Sequence, residues 1–258
     1  MKFFLAPMQG LTGYTVRNAF HHHFDYIDKY YTPFIPAAKR MNAKIKRDID
    51  PVNNDGITLI PQAMSIVADE VIDLHRQLVP YGYDEINVNL GCPSGTVVSK
   101  KRGSGILAYP DMLDSFLDEL YTKADFPVSI KTRVGFNDDE LWPKLIEIYS
   151  KYPISELTVH PRVQKDFYKN TSRMDDFALA MQKINPDKTT LCYNGDITDT
   201  NSFNALTDCF PDIDEIMIGR GLFANPALIA ELKGISMDKA ELRERLKNWH
   251  DEILSGYL

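Results

Sequence analysis

The chain is poor in cysteine, with only Cys92, Cys192 and Cys209 among 258 residues. Three widely spaced cysteines without a CxxC pair argue against both a disulfide framework and a zinc site. His21-His22-His23 is a poor alternative metal-ligand set, because adjacent residues of a helix point in different directions. We therefore predict a cytoplasmic protein, from a reducing compartment, that holds no metal.

Long apolar runs and an excess of basic residues are also lacking. The N-terminal apolar run is interrupted by Pro7 and Gln9, too early for a signal peptide, and no apolar stretch reaches 18 residues, so we expect no membrane segment. The net charge of −7 disfavours a protein that binds nucleic acid with its whole surface, although a local basic patch remains compatible with it.

What the sequence does contain is a regular alternation of apolar runs and amphipathic stretches. The predicted strands are Lys2–Met8, Tyr26–Pro33, Ile57–Gln62, Glu85–Asn89, Val128–Thr132, Glu156–His160, Thr190–Asn194 and Glu215–Ile218. Helical patterns follow most of them, at Val67–Leu78, Asp111–Lys123, Asp138–Lys151, Asp175–Ile184, Thr200–Cys209 and Pro226–Leu232, with Asp111 and Asp138 as expected N-caps. Eight such units predict an α/β protein of the (β/α)8 TIM-barrel class. The first strand is not followed by GxGxxG, which argues against a doubly wound sheet.

The end of the chain has a different pattern. Leu242, Leu246, Trp249 and Ile253 recur at helical spacing. They predict a C-terminal helical extension over 236–258 (helix Lys239–Leu254), appended to a catalytic barrel formed by residues 1–235.

The predicted strand ends carry the candidate chemistry. The fourth strand stops at Gly91-Cys92-Pro93 and so delivers a thiol to a loop, and active sites of α/β barrels lie at the C-terminal ends of the strands. A lone buried cysteine more often only packs. The polar groups that end the other strands favour a functional Cys92, and they are Pro7-Met8-Gln9, Gln62, Lys131, His160, Asn194-Gly195-Asp196 and Gly219-Arg220.

These groups have the chemistry of a flavin site. The loops after the seventh and eighth strands, with Asn194, Gly195, Asp196, Gly219 and Arg220, are where many barrels bind phosphate. Lys131 ends an apolar run, where a lysine needs an anionic partner, and Gln62 both donates and accepts, which suits an imide edge. An ordinary pair of glycine turns and a structural histidine at His160 are the alternatives.

Three basic clusters follow predicted strands. They are Lys39–Arg47, Lys100-Lys101-Arg102, and Arg162 with Lys165 and Lys169. Solvated charges are the commoner explanation of such runs, but βα loops lie on the active-site face of a barrel, so a role in a binding site is the alternative.

Several of these motifs together resemble the tRNA-dihydrouridine synthases. They are LAPMQGLT, NLGCPSGTVVSKKRGSGIL, SIKTRVGF, TVHPR, YNGDI and MIGRGLF, spread over residues 3–225. The resemblance implies an FMN-dependent oxidoreductase that reduces uridines of tRNA to dihydrouridine with NADPH, and we expect a monomer. It makes Cys92 the general acid, and it assigns flavin contacts to Pro7, Met8, Gln9, Gln62, Lys131, His160, Asn194, Gly195, Asp196, Gly219 and Arg220. Substrate contacts are expected at Asn89, Lys100, Lys101, Arg102 and Arg162. With tRNA as the implied substrate, we predict that the three basic clusters contact RNA phosphates.

The chain departs from the family pattern in a few places. Asn87 stands where Asp is frequent, Val98 where Asn is frequent, and Pro161 where a small residue usually follows the histidine. Only about one helix follows the barrel, whereas the family normally carries a helical bundle that grips tRNA. Two other functions stay open at this point: an FMN barrel acting on a free pyrimidine, similar to dihydroorotate dehydrogenase, and a non-catalytic RNA-binding or RNA-folding barrel.

Overall fold

The computed structural model describes residues 1–38 and 40–256, whose contacts divide into two compact units. The Cys92 unit comprises Phe34–Met41 and Pro61–Gly195, and the terminal unit comprises Met1–Pro33, Asn42–Ile60 and Asp196–Leu258. Strands and helices alternate along the chain, and the strands pair in parallel in both units.

The Cys92 unit holds six strands in the order β3-β5-β6-β7-β8-β9. The strands are β3 Ile35–Pro36, β5 Gln62–Met64, β6 Ile86–Leu90, β7 Val128–Gly135, β8 Glu156–Val163 and β9 Thr190–Asn194. The helices are α3 Ala68–Leu78, α4 Gly95–Val98, α5 Pro110–Lys123, α6 Trp142–Tyr149 and α7 Met174–Lys183. All residues of β6 and β8 are buried, as expected of strands covered on both faces.

The terminal unit holds four strands, in the order β10-β1-β2-β4. They are β1 Lys2–Leu5, β2 Lys29–Tyr31, β4 Leu59–Ile60 and β10 Glu215–Ile218. Its helices are α1 Tyr14–His23, α2 Ala43–Ile49, α8 Thr200–Cys209, α9 Arg220–Ala224, α10 Leu228–Leu232 and α11 Lys239–Ser255. Helix α8 begins with a capping box, in which Asp199 accepts from the backbone N–H of Ser202 at 2.7 Å.

The strand count differs from the sequence prediction. The expected third strand, Ile57–Gln62, is two short strands, β4 and β5, on either side of Pro61, and the two-residue β3 was not expected. Pro61 has no N–H to donate to a ladder, although its carbonyl accepts from Asn87 at 2.9 Å. The proline thus divides one hydrophobic run between two pairings. Strand β4, before Pro61, pairs with β2, and strand β5, after it, pairs with β6.

Both predicted aspartate N-caps were wrong. Helix α5 begins at Pro110 after Tyr109, so Asp111 lies within the first turn, where its charge still favours the helix dipole. Helix α6 begins only at Trp142, and Asp138 instead accepts from the backbone N–H of Glu140 in the preceding turn.

The predicted tail helix is confirmed as α11, which packs against α1 within the terminal unit. The rings of Trp249 and Phe20 lie 5.3 Å apart, and the Glu252 carboxylate contacts ring nitrogens of both His22 and His23 at 2.9 Å. His22 and His23 of α1 therefore help to fix the position of α11. The division into domains 1–235 and 236–258 stays a prediction.

Within the described part of the chain, no helix has the length and apolarity needed to cross a membrane. Over the same residues, no group of three or more histidine, cysteine, aspartate or glutamate side chains has a metal-binding arrangement.

Candidate functional site

The polar residues predicted at the strand ends of the Cys92 unit lie on neighbouring strands near the same edge. Asn89 of β6 is in register with Lys131 of β7, and Arg133 is in register with His160 of β8. Gln62 begins β5 beside Asn87. Because all these strands run in the same direction, their carboxyl ends bring these side chains to one side of the sheet.

A buried chain of side-chain amides leads to the Cys92 loop. Asn87 donates to the Ser129 hydroxyl at 3.0 Å and accepts from Gln62 at 2.8 Å, and the Gln62 oxygen accepts from Asn89 at 2.7 Å. The Asn89 oxygen then accepts from the backbone N–H groups of Gly91 and Cys92, at 3.1 and 2.9 Å. Asn89 therefore fixes the turn that carries the thiol. Its predicted contact with the target base stays a prediction.

Cys92 is a free, half-buried thiol. Burial raises the pKa of Cys92 above its ordinary value, although the Ser94 N–H and the charges of Arg133 and Lys131 oppose the shift. The thiol is therefore protonated at neutral pH. A nucleophilic cysteine needs a lowered pKa instead, so this environment suits a proton donor.

The segment after Cys92 folds back onto it. The Cys92 carbonyl accepts from both the N–H and the hydroxyl of Ser104, at 3.1 and 2.8 Å. Gly103 has a φ of +55°, and a Cβ there would lie 2.7 Å from the Cys92 oxygen. A side chain at residue 103 is thus excluded by both backbone conformation and space, which explains the glycine of the KRGSG motif.

Lys131 lies on β7, next to Asn89 of β6. Its ammonium donates to the Asn194 side-chain oxygen at 2.6 Å. Burial, reinforced by the charge of Arg133, lowers the pKa of Lys131 to about 7. The Asn194 amide is a neutral partner, and an anionic group bound beside Lys131 would raise its pKa again.

The lowered pKa predicts how stability depends on pH. An unfolded lysine has a pKa near 10.4, so between about pH 7 and 10 the unfolded chain binds more protons than the folded one. Folded-state stability should rise with pH in that window, by at most about 1.4 kcal/mol per pH unit from this group. Urea unfolding of the wild type and of Lys131→Met should show a difference that grows in favour of the wild type from pH 7 to pH 9. A difference that stays constant with pH would mean that Lys131 keeps its ordinary pKa.

Arg133 is a central residue that the sequence prediction missed. Its buried guanidinium donates to the carbonyls of Gly91, Val163 and Phe167 at 3.0, 2.9 and 2.8 Å. It therefore joins the Cys92 loop to the segment after β8. Burial lowers the pKa of Arg133 to about 10, so it is still charged at neutral pH. The sequence did contain a signal for Arg133. Residues two apart in a strand point to the same face, so Lys131 and Arg133 place two cations on one face of the strand.

His160 and Arg162 lie together inside the Cys92 unit. Arg162 donates to Nε2 of His160 at 3.0 Å and to the Asn170 carbonyl at 2.6 Å. Because a guanidinium only donates, Nε2 is the acceptor and the ring proton of His160 lies on Nδ1. Arg162 is only 2% exposed. Its predicted substrate contact stays a prediction. In the structure, Arg162 orients the imidazole ring of His160.

The other predicted substrate residues lie at the surface or near it. Lys100 and Lys101 are exposed, and Lys101 lies over the Tyr109 ring at 4.3 Å. Arg102 is half-buried and pairs with Glu70 at 3.2 Å. In the first basic cluster, Arg40, Lys44, Lys46 and Arg47 are exposed, whereas Lys39 lies outside the described residues.

The predicted phosphate residues fall in both units. Asn194 is buried and Gly195 half-buried at the end of β9 in the Cys92 unit. In the terminal unit, Asp196 pairs with Arg220 at 2.7 Å, and both side chains are largely exposed. The backbone N–H of Met8 donates to the Thr12 hydroxyl at 2.9 Å. Pro7 and Gly219 are half-buried, and Gln9 is exposed.

Solved structures identify the fold to which these elements belong. A variant of NCR from Zymomonas mobilis superposes with a TM-score of 0.62 over 96% of this chain and 90% of its own, at 11% identity. Morphinone reductase gives a TM-score of 0.60 over 93% and 88%, at 10% identity. The predicted class, a (β/α)8 barrel with a C-terminal helix, is confirmed.

Sequence comparison then defines the family. The dihydrouridine synthase (Dus) model matches residues 4–253, so the chain belongs to the dihydrouridine synthase family, a family of oxidoreductases, and the resemblance found from its motifs is confirmed. It is 26% identical to tRNA-dihydrouridine synthase B of Pasteurella multocida over 91% of this chain and 69% of that protein.

Other relatives carry the same kind of name. Identity to tRNA-dihydrouridine synthase B of Escherichia coli K12 is 30% over 67% of this chain and 53% of that protein. A probable tRNA-dihydrouridine synthase of Staphylococcus aureus is 34% identical over 58% of this chain. These alignments span 46% to 69% of the relatives' lengths.

Proposed function

We propose that the protein reduces uridines of tRNA to 5,6-dihydrouridine, with FMN as cofactor, NADPH as electron donor and Cys92 as proton donor. The observation that carries the proposal is the Cys92 loop. A thiol kept protonated by burial is held by Asn89 at the strand edge that also presents Lys131 and His160. Membership of the dihydrouridine synthase family supports the same reaction.

The residues of the Cys92 unit fit an isoalloxazine ring. Gln62 is a buried amide, burial and the nearby charge of Arg133 lower the pKa of Lys131, and Nδ1 of His160 is a donor. An electron-rich pyrimidine edge would supply the acceptors and the negative charge that these groups favour. When bound there, FMN would supply the hydride, and Asn194 with Gly195, at the end of β9 in the same unit, would contact its phosphate.

The chain itself would contribute orientation and a proton. Hydride addition at C6 of uracil leaves C5 in need of a proton, which the neutral Cys92 thiol would donate from the loop fixed by Asn89 and Ser104. The cysteine is then reprotonated from solvent, since it is only half-buried. Lys131, charged next to a bound anion, would stabilise the electron-rich form of the ring.

Binding of tRNA would rely on exposed lysines of the Cys92 unit. Lys100, Lys101, Lys165 and Lys169 are exposed on segments that follow strand ends. If four lysines contact phosphates, affinity for tRNA should fall about a hundredfold between ~50 and ~200 mM salt. Replacing Lys100 and Lys101 by Ala should reduce the salt slope by about two. Replacing Lys183 and Lys188, exposed before β9 at the opposite edge, is the matched control. Equal slopes in both double variants would remove the lysine cluster from the interface.

The proposed function is tested by two measurements on the full chain. Purified protein should show flavin absorbance, and dihydrouridine mapping of tRNA from cells with and without the gene should identify positions that lose the modification. Turnover of free orotate with unmodified tRNA would favour the free-pyrimidine enzyme instead. A colourless protein that binds tRNA would favour the non-catalytic function. The cytoplasmic location and the monomeric state stay predictions.

A further inference from the structure

The segment after β8 contains a residue in an unusual conformation. Phe167 has a φ of +50° and a ψ of −95°, a region that side chains other than glycine rarely adopt. The residue is nevertheless 45% exposed, so burial of the side chain does not account for the strain. Strained backbone in a folded protein is held by its surroundings and is most frequent at functional sites.

Two hydrogen bonds hold Phe167 in this conformation. Its N–H donates to the Gln164 carbonyl at 3.1 Å, and its carbonyl accepts from the Arg133 guanidinium at 2.8 Å. Arg133 also binds the Gly91 carbonyl, while the Gln164 side chain donates to the Pro93 carbonyl at 2.9 Å. Phe167 is therefore tied to the residues on both sides of Cys92.

The exposed face around Phe167 combines aromatic and cationic groups. Lys165, Tyr168 and Lys169 are exposed beside it, whereas the one acidic residue of the segment, Asp166, is buried and paired with Arg173. Tyr168 lies over Arg133 at 5.6 Å. The Phe167 ring has no aromatic or cationic partner among residues 1–38 and 40–256. Proteins bind single-stranded nucleic acid with lysines that contact the phosphates and with aromatic rings that stack on the bases. Two lysines beside the open face of the Phe167 ring provide both kinds of group.

We propose that Phe167 is a stacking platform for an unpaired base of the substrate tRNA, next to the uridine that Cys92 serves. This inference rests on the proposed function and adds a residue to its substrate site. Every base has a π-face, so the platform contributes affinity without reading sequence. The left-handed backbone is retained because it turns the carbonyl towards Arg133 and the ring towards solvent.

Three variants test the proposal by fluorescence anisotropy with a labelled, unmodified tRNA transcript. Phe167→Gly and Phe167→Ala both remove the ring, and each should weaken tRNA binding about tenfold or more, whereas Phe167→Trp should stay within about twofold of the wild type. Val79→Ala, which shortens a half-exposed apolar side chain in the turn before β6, is the matched control and should bind normally.

Thermal melting of the same variants separates binding from folding. Glycine adopts the left-handed backbone freely, so Phe167→Gly should melt a few degrees above Phe167→Ala and no lower than the wild type. Wild-type affinity in Phe167→Gly would overturn the stacking role, and so would a large loss of stability in that variant, because Phe167 would then be a packing residue.

The failure of this inference is distinguishable from that of the proposed function. A wild-type protein that neither binds nor modifies tRNA overturns both. A wild-type protein that forms dihydrouridine, alongside a Phe167→Gly variant with the same affinity and the same kcat/KM, overturns the stacking role alone.

Discussion

Replacing Cys92 by Ala is expected to lower dihydrouridine formation by ~100- to ~10,000-fold, the usual contribution of a positioned general acid. The thiol is the protonated group at the end of the Asn89 turn, and alanine keeps that turn because both of its hydrogen bonds use backbone N–H groups. Flavin content and the rate of NADPH oxidation should therefore remain close to those of the wild type. Mass spectrometry of tRNA after single turnover measures the modification step directly.

Cys209→Ala is the matched control for this variant, since Cys209 is an exposed thiol of the terminal unit. It should be as active as the wild type. Cys92→Ser should also be slow, because a hydroxyl of similar size is a much weaker acid. Full activity in Cys92→Ala would remove the thiol from the reaction, and a parallel loss of flavin would indicate a cofactor-binding role instead.

Replacing Arg133 by Ala is expected to have the largest effect on stability. The change leaves three carbonyls, those of Gly91, Val163 and Phe167, without their donor and opens a cavity beside them. Hydrogen bonds to charged donors contribute about 1.5–3 kcal/mol each, and partial hydration offsets some of the loss, so we expect destabilisation of about 3 kcal/mol or more. Urea unfolding measures it.

The same variant should lose activity beyond its loss of stability, because the Arg133 side chain joins the Gly91 carbonyl of the Cys92 loop to the Phe167 carbonyl. Arg133→Lys should rescue only partly, since an ammonium cannot reproduce the planar array of donors. Arg76, whose pair with Asp73 is exposed, supplies the control: Arg76→Ala should change stability by no more than about 0.5 kcal/mol. A near-neutral Arg133→Ala would mean that water replaces the guanidinium at little cost.

Strand-end reasoning predicted much of the fold and the residues of the candidate site. The alternation of apolar runs and amphipathic stretches located the long strands. Parallel strands bring their carboxyl ends together whatever side chains they carry, so the residues at those ends could be predicted as neighbours. The prediction failed where a feature was too short for periodicity, as with β3, or where one residue changed the pairing, as Pro61 does between β4 and β5.

The roles of individual side chains were harder to predict because they depend on partners distant in sequence. Arg133 directly follows the predicted strand Val128–Thr132 but was given no role, because the carbonyls that its guanidinium binds belong to residues distant in sequence. Arg162 was predicted to contact substrate from its position in a basic run, and the sequence did not indicate that it is buried against His160. The conformation of Phe167 follows from a hydrogen bond to a residue 34 positions away.

The different burial of the three cysteines gives the protein a practical order of chemical labelling. Cys209 is exposed, Cys92 is half-buried with a raised pKa, and Cys192 is fully buried. Maleimides react with thiolates, so one equivalent at neutral pH should modify Cys209 first and leave Cys92 intact. A fluorophore could then be attached at the end of α8 in the wild-type sequence, without an engineered cysteine.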